Sequence, residues 1–140
     1  MNLFVWTDAL ATGNAFFDEE HQALVQLVNA ALESIACQRG AADLDLCLQM
    51  LQRYAREHFS QEEREMQQVA EHNSAGHRAA HFTLLEQLRE VHEDLASGQG
   101  CDPMALYRFL TWWVKDHIRD WDQALASALA AQLQSAAGPT

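Results

Sequence analysis

Apolar positions recur every three or four residues over most of the chain, which is the period of helices that bury one face. Val25, Val28, Leu32 and Ile35 form one stripe; Leu44, Cys47, Leu51 and Tyr54 a second; Leu84, Leu88, Val91 and Leu95 a third. Leu106, Phe109 or Leu110, and Trp113 form the fourth. Breakers fall between the stripes, in QRGAAD, HNSAG and SGQGCDP, and the whole chain has only two prolines and six glycines. The pattern predicts helices over about Asp18 to Cys37, Asp43 to Glu71, Ala75 to Ala96 and Asp102 to Leu133. Asp18 is the expected N-cap of the first helix, and Asp102 followed by Pro103 the start of the fourth. An N-terminal arm, residues 1–17, precedes the helices and a frayed tail, residues 134–140, follows them. Four amphipathic helices on short connections pack most simply as an all-α, up-down-up-down antiparallel four-helix bundle. Residues 1–140 suit one such domain, because the length supports one core and not two.

Each stripe, continued at its own spacing, runs into histidine. The first extends back to His21 and the third back to His81 and His77. The second runs forward to His58 and Glu62 before returning to Met66 and Val69, and the fourth runs forward to His117. A single histidine on an apolar face usually finds a carbonyl group. Five of them, with a carboxylate, exceed what helical backbone can satisfy once its own hydrogen bonds are made. A metal centre meets the need at once. His58 and Glu62 are four apart, as are His77 and His81, so each pair shares a helix face and can grip one centre. Imidazole with few carboxylates suits iron, zinc, copper or nickel, and does not suit magnesium or calcium. The donors are too many for one tetrahedral zinc, and the HExxH pattern is absent, since Arg78 follows His77. Two metals bridged by carboxylates would use them all.

Charge narrows the partners. Twenty acidic residues against nine basic ones give a formal charge of -11, which repels nucleic acid and anionic membrane surfaces. The N-terminus does not read as a signal peptide, and the best apolar run, MALYRFLTWWV, is too short for a membrane span and carries Arg108. Cys37, Cys47 and Cys101 are an odd set without a CxxC pair, which favours a reducing compartment, hence the cytoplasm. Cys47 reads as packing. Of the remaining histidines, His72 reads as solvated and His92 as a boundary residue.

The order of the motifs carries a resemblance. FVWTDALATGNAFFDEEHQALVQLVNAAL, then HFSQE, HRAAH and HIRDWD, resembles the hemerythrin family in its single-domain bacterial form, from Trp6 to about Leu129. The resemblance implies two iron ions: one held by His77, His81 and His117, the other by His21 and His58. Glu62 and Asp122 would bridge the pair with an oxo or hydroxo group. It also implies a non-enzymatic protein that binds dioxygen reversibly at the iron with fewer histidines, for carriage, storage or local supply. Nitric oxide or small anions would be alternative ligands there, and no protein recipient is implied. The matching pocket positions are Leu24, Phe59, Trp113, Val114 and Ile118. A redox or oxygen sensor would need an output module, for which the chain has no room. An enzyme acting on nitric oxide, peroxide or ferrous iron would need a second acid or base over the open position, and none is evident.

The chain departs from the family in its connections. The Tyr-Pro turn often found before HxxxH is replaced by AEHNSAGH, and two other connections look longer than in compact invertebrate carriers. Asp122 follows His117 by five residues, which is about 140° around a regular helix. Both can face inward only if the turn between them widens, as in a π-bulge.

Overall fold

The computed structural model describes residues 4–98 and 102–137, apart from the side chains of 135–137. Helices α1 (Ala15–Ala36), α2 (Ala41–Met66), α3 (Ser74–Ala96), α4 (Pro103–His117) and α5 (Gln123–Ala137) follow a 3-10 turn at Asp8–Leu10. A π-helical segment, Ile118–Asp122, joins α4 to α5, so these three pieces form the fourth rod of a four-helix bundle. No strand occurs among the described residues. Helix α1 packs on α2, α2 on α3, and α4 returns onto α1.

Several ends differ from expectation. Helix α1 starts a turn before Asp18, because the Asn14 side chain takes the capping role and accepts from the Phe17 amide at 3.1 Å. Asp18 instead secures the arm, accepting from the Thr12 amide at 2.7 Å and its hydroxyl at 2.8 Å. The last part of the expected arm is therefore helix. Helix α2 opens after Gly40, whose φ of +96° favours glycine, and ends at Met66 instead of Glu71. Turns after Met66 bring Val69 back into the core. The expected frayed tail is helical as far as Ala137. Cys101 and residues 138–140 lie outside the described residues.

Most stripe positions are buried, but Ile35, Cys47, Tyr54, Val91 and Leu95 are half-buried at the edge of the core, and Leu48 and Ala55 take the inner face of α2. The larger apolar cluster includes Leu24, Val28, Leu32, Leu48, Leu51, Leu88, Leu110 and Trp113. A smaller one gathers Phe17, Met66, Leu125 and Ala126. Each fully buried Leu or Phe stabilises the fold by about 1.5–3 kcal/mol. Between the two clusters, in sequence order along each rod, lie the polar residues: His21 between Phe17 and Leu24, His58 and Glu62 before Met66, His117 and Asp122 between Val114 and Leu125.

The arm folds against the bundle. The Asn29 side chain exchanges hydrogen bonds with the Phe4 backbone, both at 2.8 Å, and Gln123 donates to the Ala9 carbonyl at 2.9 Å.

Candidate metal centre

The buried layer contains His21, His58, Glu62, His77, His81, His117 and Asp122, each no more than 7% exposed. Their donor atoms fall into two overlapping groups. Glu62, His77, His81, His117 and Asp122 make one; His21, His58, Glu62 and Asp122 make the other. All seven residues singled out from the sequence are thus brought together, and Glu62 and Asp122 belong to both groups.

Asp122 reaches the layer because the Ile118–Asp122 turn is π-helical. The widened turn absorbs one residue, which cuts the angular offset from His117 to about 40°. Its Oδ1 lies 3.0 Å from His77 Nε2 and 3.2 Å from His117 Nε2, and its Oδ2 lies 3.0 Å from His21 Nε2.

Ordinary polar contacts do not satisfy this layer. His117 Nε2 lies 3.3 Å from His77 Nε2 and 3.1 Å from His81 Nε2. Each neutral ring can offer Nε2 as donor or acceptor but not both, so one proton per ring cannot serve all these neighbours. His21 Nε2, His58 Nε2, both Glu62 oxygens and Asp122 Oδ2 are buried without a well-aligned hydrogen bond, although oppositely charged partners are close. Two donors on one metal at about 2.1 Å stand about 3.0–3.4 Å apart, between octahedral and tetrahedral angles. The nitrogen separations fall in that range. Lone pairs converging on common points fit a metal where hydrogen bonds do not. The donor set is nitrogen and oxygen, and the two cysteines among the described residues, Cys37 and Cys47, are free thiols outside both groups.

Outer contacts fix three of the rings. His58 Nδ1 faces Glu20 Oε1 at 3.2 Å, and Glu20 Oε2 accepts from the Tyr54 hydroxyl at 3.1 Å. His81 Nδ1 faces Glu63 Oε2 at 3.2 Å, and His77 Nδ1 faces His72 Nε2 at 2.8 Å. A partner at Nδ1 holds the proton there and leaves the Nε2 lone pair for a metal. Phe59 stacks on the His81 ring with centroids 4.0 Å apart, and Trp121 stacks on His77 at 5.3 Å.

The sequence reading missed these outer residues. Glu20 and Glu63 each adjoin a buried donor in sequence, but acids beside a stripe look like a solvated face. His72, expected to be solvated, is half-buried and bonded to His77. His92 is the boundary residue expected, paired with Asp45.

In the absence of metal, the layer is an ion cluster. Burial lowers the His21 pKa, but Asp122 and Glu62 outweigh it and lift the ring to about 9. Burial lowers His81 as well, and the neighbouring His117 charge adds to the effect, taking it to about 2. Burial and Asp122 raise Glu62, yet His21, His58 and His77 prevail and lower it to about 2. Asp122 also stays well below the ordinary carboxylate range: burial opposes this, and His117, His21 and His77 overcome it.

Beside the layer lies a small cavity of about 10 Å³. It is lined by the polar residues His21, His58, His117 and Asp122 and by the apolar residues Leu24, Phe59, Trp113, Val114 and Ile118. The five apolar pocket positions expected from the sequence all meet there. Trp113 is buried while Trp112 is exposed, and the Trp113 indole donates to the Leu84 carbonyl at 3.2 Å, so its polar edge is already satisfied.

Residues 12–129 match the family model of the hemerythrin HHE cation binding domain. The chain belongs to the hemerythrin family. Relatives of this hemerythrin-family chain include the bacteriohemerythrin of Methylococcus capsulatus, 28% identical over 94% of this chain and 100% of the relative. That of Stenotrophomonas maltophilia is 26% identical over 95% and 86%. Two solved hemerythrin mutants superpose with TM-scores of 0.83 and 0.82, at 27% identity over 93% of this chain and 99% of theirs. These similarities agree with the bundle described above. No helix among the described residues is long and apolar enough to cross a membrane.

Proposed function

We propose that this hemerythrin-family chain holds two iron ions in its buried layer and binds dioxygen reversibly, as a carrier, store or local supplier and not as an enzyme. The observation that carries the reading is the asymmetry of the donor groups: three imidazoles on one side, two on the other, and two carboxylates common to both. The side with fewer donors is the one left with room for a small ligand. When bound, the iron pair supplies the redox chemistry by which dioxygen is taken up and released.

The protein's own residues supply the surroundings. In this reading His77, His81 and His117 would hold one iron and His21 and His58 the other, and Glu62 and Asp122, common to both donor groups, would be available to each. Five imidazoles and only two carboxylates give a less anionic site than a carboxylate-rich one, which favours release over oxidation of other substrates. The apolar wall of Leu24, Phe59, Trp113, Val114 and Ile118 keeps water and protons from the ligand, which limits loss of the bound gas as peroxide. Nitric oxide and small anions would be alternative ligands at the same place. The odd set of three cysteines without a CxxC pair favours a reducing compartment, and on that ground this work is placed in the cytoplasm.

The test is repeated anaerobic reduction followed by oxygen addition and removal, monitored by visible absorption. The account expects the same spectrum to appear and vanish over several cycles. Net oxygen consumption with an oxidised product would indicate an oxidase instead, and an unresponsive spectrum would rule out oxygen binding.

A further inference from the structure

We propose that His72 is a positioning residue for the metal centre: from the connection between α2 and α3 it accepts the Nδ1 proton of His77 and so presents the His77 Nε2 lone pair to the metal. The inference rests on the metal-centre reading and adds a residue to it. His72 belongs to neither converging donor group, so it is not itself a candidate ligand.

Local structure explains the contact. Asn73 is the N-cap of α3, with its side chain accepting from the Gly76 amide at 3.1 Å and its carbonyl from the His77 amide at 3.0 Å. His72 is therefore the residue before the cap, and His77 is the fourth residue of the helix. In many helices those two positions touch across the first turn through apolar side chains, fixing the angle at which the chain enters. Here the same contact is made by two imidazoles, with His72 Nε2 at 2.8 Å from His77 Nδ1 and the rings edge to face at 64°. The Ser74 amide donates to the His72 carbonyl at 2.8 Å, which fixes the backbone from which the ring projects.

The direction of the proton follows from what surrounds His77. Its Nε2 faces His117 Nε2 at 3.3 Å, Asp122 Oδ1 at 3.0 Å and Glu62 Oε2 at 3.5 Å, which is the donor side. A lone pair is required there, so the proton of the neutral ring sits on Nδ1 and His72 Nε2 accepts it. His58 and His81 have carboxylates in the corresponding place, whereas His77 has a neutral ring reaching in from the half-buried connection. Trp121 holds the face of His77 while His72 holds its edge. Gly76 makes this possible, since a Cβ there would stand 2.7 Å from the Trp121 ring.

Zinc serves as a diamagnetic probe of the full chain. Wild type, His72→Phe and His72→Gln are titrated with zinc against a competing chelator, and the His77 ring is read by long-range proton–nitrogen NMR. In wild type the account expects metal at Nε2 and a slowly exchanging proton on Nδ1. His72→Phe should bind zinc about ten- to a hundredfold more weakly, the usual cost of losing such a partner, and its Nδ1 proton should exchange fast. His72→Gln, whose side-chain oxygen can accept the same bond, should recover most of both. Wild-type affinity with a protected proton in the Phe variant would overturn the inference, as would a metal-bound Nδ1 in wild type. If the Phe variant fails to fold by circular dichroism, a Gln variant with a fast-exchanging Nδ1 proton overturns it equally. Wild-type protein that takes up no zinc would overturn the metal-centre reading itself, and this inference with it. Uptake that is indifferent to residue 72 overturns the inference alone.

Discussion

Glu62 shows how a single residue can reveal a site. It is fully buried on α2, shared by both donor groups, and its two oxygens lack aligned hydrogen bonds. Replacing it with glutamine keeps the shape but removes the anionic charge common to both donor groups. After incubation with excess ferrous iron and desalting, Glu62→Gln should keep at most one metal per chain by elemental analysis; retention of the full wild-type complement would contradict its bridging role. Ile118 is 1% exposed and lines the small cavity. Ile118→Ala should cost about 2–5 kcal/mol of folding stability and, by admitting water, shorten the life of the oxygenated form several-fold. An unchanged decay of its absorption would show that this wall does not protect the ligand. Gly76 decides a sign. Glycine to alanine within a helix normally stabilises by up to about 1 kcal/mol. Here the new Cβ meets the Asn73 side-chain Nδ2 at 2.6 Å and the Trp121 ring at 2.7 Å. Overpacking of this kind costs about 1–3 kcal/mol, so Gly76→Ala should lower the melting temperature. Six of the seven donors were legible from sequence because they are polar residues on apolar stripes; Asp122, off its stripe in a regular helix, was pointed to only by the family resemblance. Glu20, Glu63 and His72 were not, since each lies off its stripe and gains its meaning only from a ring on another element or across a turn.

Among the elements, the fourth rod teaches most. Five residues separate His117 from Asp122, so a requirement that both face inward already calls for a widened turn. The π-helical stretch Ile118–Asp122 supplies it. A bulge of this type behaves as one inserted residue, with the helix beyond it keeping its face. Removal of the exposed Asp120 should therefore leave a regular helix in which the inward carboxylate stands four residues from His117 and Leu125 stays buried. That variant should still bind metal with the wild-type stoichiometry, and loss of binding with full helicity would refute the one-residue account. Helix existence was legible throughout, from the stripes of α1, α2, α3 and α4. Their ends were less so. Asp18 looks like a cap by residue type, but Thr12 claims its carboxylate and leaves the cap to Asn14. Phe17, one turn before His21 and buried, marks the helical stripe that extends α1 backward.

Over the whole molecule, the buried layer should govern the response to pH when metal is removed. His21 is raised from 6.5 to about 9, so the stability it contributes is fully present below pH 6.5 and is lost as pH rises through about 9. Glu62 is lowered from 4.5 to about 2, so its contribution is present above pH 4.5 and is lost as pH falls toward 2. The two describe one shared interaction, while His81, lowered to about 2, stays neutral where the unfolded chain takes up a proton and so costs stability below pH 6.5; the metal-free chain should be most stable to denaturant near pH 6.5. In the proposed site a metal would take the place of the His21 proton, so the loaded protein should lose the alkaline decline and release protons on loading at pH 7. Metal-free stability that rises between pH 7 and 9 would contradict the sign. The most direct measurement of the central claim is the iron content of protein produced in iron-replete cells, set against its concentration from amino-acid analysis. Two irons per chain is the predicted result; an empty site, a single iron or zinc in its place would contradict it.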